Sequence, residues 1–171
     1  MQLVTERASP MVEAAVIRPA HNQDIEGMTR ILNEIIAIGG TTAHDRWFDC
    51  EQMLNVFISP QRGISCYVAC EGKLVLGFQS LEWADPDWPG ENPLPKDWGI
   101  ISTYVKQSYH SKGVGAALFV ETLLAAKTAG VRWIDATIRR ENIGGLAFYR
   151  SLGFQDYKMD ELTISKRHGL E

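Results

Sequence analysis

The amino-acid sequence predicts one α/β domain on a mixed sheet, with mostly antiparallel strands in its N-terminal half and a strand-helix-strand-helix unit in its C-terminal half. Three observations lead there. Two apolar runs, Ile64 to Cys70 and Leu74 to about Trp83, flank Glu71-Gly72-Lys73, which is turn chemistry for an antiparallel hairpin. Ile25, Met28, Ile31, Leu32, Ile35 and Ile36 recur at spacings of three and four, giving a helix with one apolar stripe. Further on, strand Trp98 to Val105 leads through a glycine-containing turn into an apolar helix and a second strand and helix.

In chain order, residues 1–13 are expected to form a poorly ordered tail and residues 14–171 the domain. Ala15 to Pro19 reads as a first strand stopped by proline. The helix that follows has Asn22 or Asp24 to cap it and ends at Gly39-Gly40. Asp49 to Ser59 reads as a shorter helix before Pro60, with Met53, Leu54, Phe57 and Ile58 on its buried side. Residues 84 to 97 carry Pro86, Pro89, Pro93, Pro95 and Gly90, so they form a long loop. Gly113 to Ala129 is a helix closed by Gly130, Arg132 to Ile138 a strand, and Asn142 to Leu152 a helix closed by Gly153. Phe154 to Met159 and Leu162 to Lys166 complete the chain as final strands.

Composition excludes several classes. With 45% hydrophobic and 22% charged residues, and no apolar run approaching the roughly 20 residues of a spanning helix, the chain reads as non-membrane. Its net charge of -4, with scattered basic residues, gives no footprint for nucleic acid. The N-terminus has no basic start, apolar stretch and cleavage site of a secretory signal, so a cytoplasmic location is expected. Cys66 and Cys70 alternate with Ile64 and Val68 on one strand face, which reads as core packing. The histidines, at 21, 44, 110 and 168, lack metal-ligand spacing, and no Gly-x-Ser-x-Gly elbow is present.

The segment with the most chemistry is His110-Ser111-Lys112-Gly113-Val114-Gly115, between a strand and a helix. Glycines there let backbone approach a ligand, and the unpaired amides of a helix's first turn favour phosphate oxygens. The turn lacks the third glycine of a dinucleotide fingerprint and the ending of a Walker A loop, which argues against an ordinary nucleotide domain. Downstream stands Asn142-Ile143-Gly144-Gly145-Leu146-Ala147-Phe148-Tyr149-Arg150-Ser151-Leu152-Gly153-Phe154.

Together these two segments resemble the GNAT superfamily of N-acetyltransferases, with a pyrophosphate loop of the form Q/R-x-x-G-x-G/A and a helix reading N-x-x-A-x-x-x-Y-x-x-x-G-F. Gly113 and Gly115 match the loop; Asn142, Tyr149, Gly153 and Phe154 match the helix. His110 stands where Gln or Arg is usual, and Gly145 where Ala is common. The resemblance implies a partly splayed sheet and acetyl-CoA as co-substrate. In that arrangement Thr103, Tyr104 and Val105 pair by backbone with pantetheine, and the amides around Ser111 to Gly115 hold pyrophosphate. An amine attacks the thioester directly, and an amide near Val105 stabilises the oxyanion. Tyr149 is implied as general acid toward the leaving thiolate, with packing as its plain alternative. Asn142 serves as a site residue, as helix N-cap, or as both.

Many relatives carry a carboxylate at the start of the fourth strand, but Ile100 occupies the aligned position. Glu82 and Asp97 are the nearest substitutes, with Glu82 ranked first. A small-molecule amine is the expected acceptor, chosen by residues 39–47, 82–98 and the C-terminal tail. Trp47, Trp83, Trp88 and Trp98 beside Asp85, Asp87, Glu91 and Asp97 suit a cation. The stretch Thr41-Thr42-Ala43-His44 shows a short similarity to the amino-acid and phosphinothricin acetylating branch. A catalytically silent CoA-binding module is the second reading, motivated by Ile100, and a homodimer is left open.

Overall fold

The computed structural model describes residues 15–171; the tail expected over residues 1–13 lies outside them. Seven strands form one sheet in the order β1-β2-β3-β4-β5-β7-β6. They are β1 (Val16–Pro19), β2 (Gly63–Glu71), β3 (Leu74–Trp83), β4 (Trp98–Val105), β5 (Trp133–Arg139), β6 (Gln155–Met159) and β7 (Thr163–Gly169). Every neighbouring pair is antiparallel except β4 and β5, as a mixed sheet requires. The helices are α1 (Ile25–Ile38), α2 (Cys50–Met53), α3 (Val114–Ala129) and α4 (Ile143–Ser151).

Helix α1 covers one face of the sheet. Its Met28, Ile31 and Leu32 are buried with Met53, Phe57, Val68, Cys70, Val75 and Phe78, so the stripe read from spacing is the one that packs. Each such side chain, fully buried, contributes roughly 1.5–3 kcal/mol. Helix α3 covers the other face, where Val114 and Leu118 meet Ala69 and Leu76, and Phe119 and Ala126 meet Leu81, Ile101, Ile134 and Ala136. Two bulges in the β2–β3 pairing make this division possible. One lies at Leu76, between the Ala69↔Gly77 and Cys70↔Val75 pairs, and sends Leu76 to the α3 face while Val75 and Phe78 stay with α1. The other lies at Ile64, which packs against the α3 cluster instead of sharing a face with Cys66 and Val68 as alternation alone predicts.

Three local expectations are corrected. The helix expected over Asp49 to Ser59 is one α turn followed by a π turn, Leu54–Ile58. Asp49 caps it by accepting from the Gln52 amide, and Ser59 N–H closes the wide turn on Leu54 before Pro60 ends the run. Strand β7 runs on to Gly169 and inserts between β5 and β6. Asp24 stands at the start of α1, yet its carboxylate turns back to the His21 amide and takes two hydrogen bonds from Arg18, at 2.8 Å each.

Burial alone would raise the Asp24 carboxyl, but Arg18 and the His21 amide together hold it below its ordinary range. Its stabilising effect is therefore fully present above about pH 4 and fades as pH falls from there through the lowered value. Asp24→Ala leaves Arg18 unpaired at the β1–α1 junction, and urea denaturation at neutral pH is expected to show a loss of about 3 kcal/mol. A loss below about 0.5 kcal/mol would make the pair a surface decoration.

Candidate active site

Strands β4 and β5 are hydrogen-bonded only over Trp98↔Trp133, Gly99↔Ile134 and Ile100↔Asp135. Beyond Ile100 they part, so the β5-facing backbone edge from Ile101 to Val105 has no strand partner among the described residues. The three residues Thr103, Tyr104 and Val105 line one arm of this fork. The Tyr104 side chain is engaged elsewhere, in an aromatic group with His44, Phe57 and Phe78, so what Tyr104 offers a ligand is backbone.

The turn before α3 stands at the open end of the fork. Ala117 N–H bonds the Gly113 carbonyl at 3.0 Å, and the amides of Ser111 to Ala116 have no such partner among the described residues. Six consecutive donors are therefore left over at the positive end of a 16-residue helix. The two glycines have different reasons. Gly113 has φ +81°, a left-handed conformation that side chains disfavour, and open space around it. A Cβ on Gly115 would lie 2.7 Å from the Phe148 ring, so Gly115 lets α3 and α4 approach. His110 does not point at the turn's amides: its Nε2 donates to the Val105 carbonyl at 2.8 Å and clamps the loop to the end of β4. Lys112 adds an exposed positive charge, and Val114 is buried as the helix's first anchor.

Asn142 is the α4 N-cap, accepting from the Gly145 amide at 2.9 Å, and its NH2 group donates to the Thr41 carbonyl. A Cβ at position 145 would lie 2.5 Å from that NH2 group, which accounts for Gly where Ala is common. Arg139 donates to the Thr42 carbonyl, so the 41–44 loop is tied to both β5 and α4. From α4, Tyr149 reaches the fork with its hydroxyl 2.9 Å from Thr103 Oγ1. Its burial raises the phenol well above its ordinary value, against a lowering by the Thr103 contact, so Tyr149 stays protonated.

On the opposite sheet face, Glu82, Ile100 and Asp135 form one row across β3, β4 and β5. The apolar residue at the aligned base position thus has a carboxylate on each side. Glu82 is half-buried, and its loss of solvent raises its pKa, with Arg62 lowering and Asp85 raising it further. Asp135 is 3% exposed and accepts from Tyr157 and Thr137, the latter also bonded to Ser165. That set of bonds ties β5 to β6 and β7 and gives Asp135 a structural task, although burial raises its carboxyl too. Asp97 lies outside the row, in the turn leading into β4, where its carbonyl accepts from the Arg132 amide.

The tryptophans divide. Trp98 is buried beside Trp133 and Tyr157 with the Arg167 guanidinium over these rings, so its cation-binding face is already taken. Trp83 packs against the α3-side core, while Trp47 and Trp88 remain exposed. A cavity of about 390 Å³ near Trp133, Gly153 and Arg167 lies at the start of β5, away from the fork's opening. Sequence reading missed Gln79, Asp135 and Arg139. The alternation of Asp135 and Thr137 with Ile134, Ala136 and Ile138 was the available signal for Asp135, since it gives that strand a polar face.

The parallel pair forks beside an amide-rich helix start, and the family model described as an acetyltransferase (GNAT) domain matches residues 62–156, more than half of the chain. The chain belongs to the GNAT acetyltransferase family. Its fold is similar to a GCN5-related N-acetyltransferase from Kribbella flavida (TM-score 0.77, 23% identity, 92% of this chain and 99% of that one). It is also similar to an N-acetyltransferase from Staphylococcus aureus Mu50 (0.77, 24%, 92% and 99%). A phosphinothricin acetyltransferase from Sinorhizobium meliloti, solved with acetyl-CoA, superimposes with TM-score 0.74 at 20% identity, covering 92% and 89%. No curated protein matches significantly in sequence. Among the described residues no helix is long and apolar enough to cross a membrane, and no cluster of metal-ligating side chains occurs.

Proposed function

We propose that this chain transfers an acetyl group from acetyl-CoA to the primary amine of a small molecule, by direct attack of the amine on the thioester. The observation that carries the reading is the β4–β5 fork ending at the free amides of Ser111 to Ala116. The open β4 edge suits the amide-rich pantetheine arm, and the amides with Lys112 suit pyrophosphate. The acceptor arrives from the face bearing Glu82, while Thr103 and Tyr149 stand on the other, because residues 100 and 103 of one strand project oppositely. Base and acid thus flank the thioester. The amine gives its proton on one side, the C–N bond forms as the C–S bond breaks, and sulfur accumulates charge on the other. A cytoplasmic location and a cationic acceptor chosen near Thr41 to Trp47 and the 84–97 loop complete the reading.

A panel of small amines with acetyl-CoA, followed by free-thiol release, tests it: amine-dependent thiol is expected. Binding of acetyl-CoA without thiol release for any amine would favour the silent CoA-binding module that Ile100 suggests. Glu82 is proposed as base, and the sign of its shift makes a pH prediction. The reaction needs the carboxylate, so the raised pKa moves the acid-side fall in kcat/KM above the ~4.3 of a solvated glutamate. Glu82→Gln is expected to remove that fall and lower the rate roughly tenfold or more at neutral pH. Asp97→Asn should keep the parent profile; if it alone loses the acid-side fall, Asp97 is the base. If both variants keep it, water takes the proton.

A further inference from the structure

We propose that Gln79 and Thr103 form a hydrogen-bond relay that points the Tyr149 phenol proton into the β4–β5 fork, making both of them positioning residues for departure of the thiolate. The proposal rests on the reading of Tyr149 as donor to sulfur. Gln79 is fully buried in the middle of β3, directly opposite Thr103 on β4. A primary amide there is an expensive choice in a strand otherwise packed with Leu76, Phe78 and Leu81, and its Oε1 finds no partner among the described residues. Its Nε2 donates to Thr103 Oγ1 at 2.9 Å, and Tyr149 Oη lies 2.9 Å from the same oxygen.

Counting leaves two arrangements for the second bond. A threonine hydroxyl has one proton and two acceptor sites, and a phenol has one proton. Gln79 fills one acceptor site of Thr103. If Tyr149 filled the other, the Thr103 proton would be left without a partner and the phenol proton would point away from the fork. If Thr103 donates instead, every proton of the pair is used or free for a ligand, because the Tyr149 O–H is then directed to the space where sulfur arrives. Each arrangement leaves one proton without a protein partner, and we take the second because only there is the free proton the phenol's, available to sulfur. As the C–S bond breaks and its electron pair collects on sulfur, the phenol donates to it. The Thr103 hydroxyl, polarised by the Gln79 amide, steadies the negative charge that builds on the phenol oxygen as its proton shifts toward sulfur.

Thr103→Val keeps shape and removes the link, and Gln79→Met keeps length and removes the amide. With acetyl-CoA and the best acceptor from the amine panel, Thr103→Val is expected to lower kcat roughly three- to tenfold, the worth of one neutral hydrogen bond, with KM for acetyl-CoA within twofold. Gln79→Met should lose roughly two- to fivefold, and Thr103→Ser, which restores the hydroxyl, should regain most of the parent kcat. The decisive measurement is the combination with Tyr149→Phe: once the phenol is gone, Thr103→Val should have no further effect on kcat. Additive losses in the double variant, or a Thr103→Ser as slow as Thr103→Val, overturn the relay. Full activity of Tyr149→Phe overturns instead the reading of Tyr149 on which it rests. If Thr103→Val fails to fold by circular dichroism, Gln79→Met in the parent and Tyr149→Phe backgrounds decides the same question.

Discussion

Gly113→Glu is expected to weaken acetyl-CoA binding at least 100-fold, measured by calorimetry on folded protein. Position 113 is the N-cap of α3, inside the run of six amides, Ser111 to Ala116, that have no partner among the described residues. A carboxylate there competes for those donors and repels the pyrophosphate. At about 5 Å and an effective dielectric near 20, each unit charge is repelled by roughly 3 kcal/mol, and 2.7 kcal/mol is already a factor of about 100. Backbone strain must be separated from charge, since φ is +81° and any side chain there costs roughly 1–2 kcal/mol in the left-handed region. Gly113→Ala carries the strain without the charge, and the space around a Cβ is open. The alanine variant is therefore expected to lose less than about tenfold in affinity. Equal affinities for the two variants would mean that phosphate does not sit at this turn.

Much of the architecture was legible because its signals are local. The α1 stripe, the Gly72 hairpin and the glycine stops of α3 are consequences of period and turn chemistry within a few residues. What escaped depends on distant pairing. Nothing local in Thr163 to Gly169 says that this strand lies between β5 and β6, and alternation cannot foresee the bulges at Ile64 and Leu76 that change faces. The site shows the same division. The turn at Gly113 and the tyrosine of α4 could be found by motif, whereas the partners of Ile100 required the registers of β3 and β5. Gly115 illustrates a subtler limit: its motif position was read as ligand approach, and the structure gives it to Phe148. Gln79, next to Ser80, was a polar residue in an otherwise apolar run, a signal of a buried polar link whose partner only the fold reveals.

Tyr149→Phe is expected to retain acetyl-CoA affinity within about twofold while kcat falls roughly 10- to 10³-fold. Affinity should hold because the ring, 7% exposed and packed on Phe148 and Phe154, is unchanged by loss of the hydroxyl. The upper bound is modest because a thiol titrates near ~8.5, so the leaving group needs less help than an alkoxide. Burial holds the phenol far above that value, so as donor Tyr149 would share its proton with the thiolate instead of surrendering it. For the same reason the rate should show no basic-side fall from Tyr149 below about pH 10. Because product release limits many enzymes, the comparison belongs in single-turnover experiments, where chemistry is observed directly. An unchanged single-turnover rate would return Tyr149 to the packing role that its neighbours Phe148 and Phe154 already suggest. A loss confined to KM would instead make it a binding contact for the thioester arm.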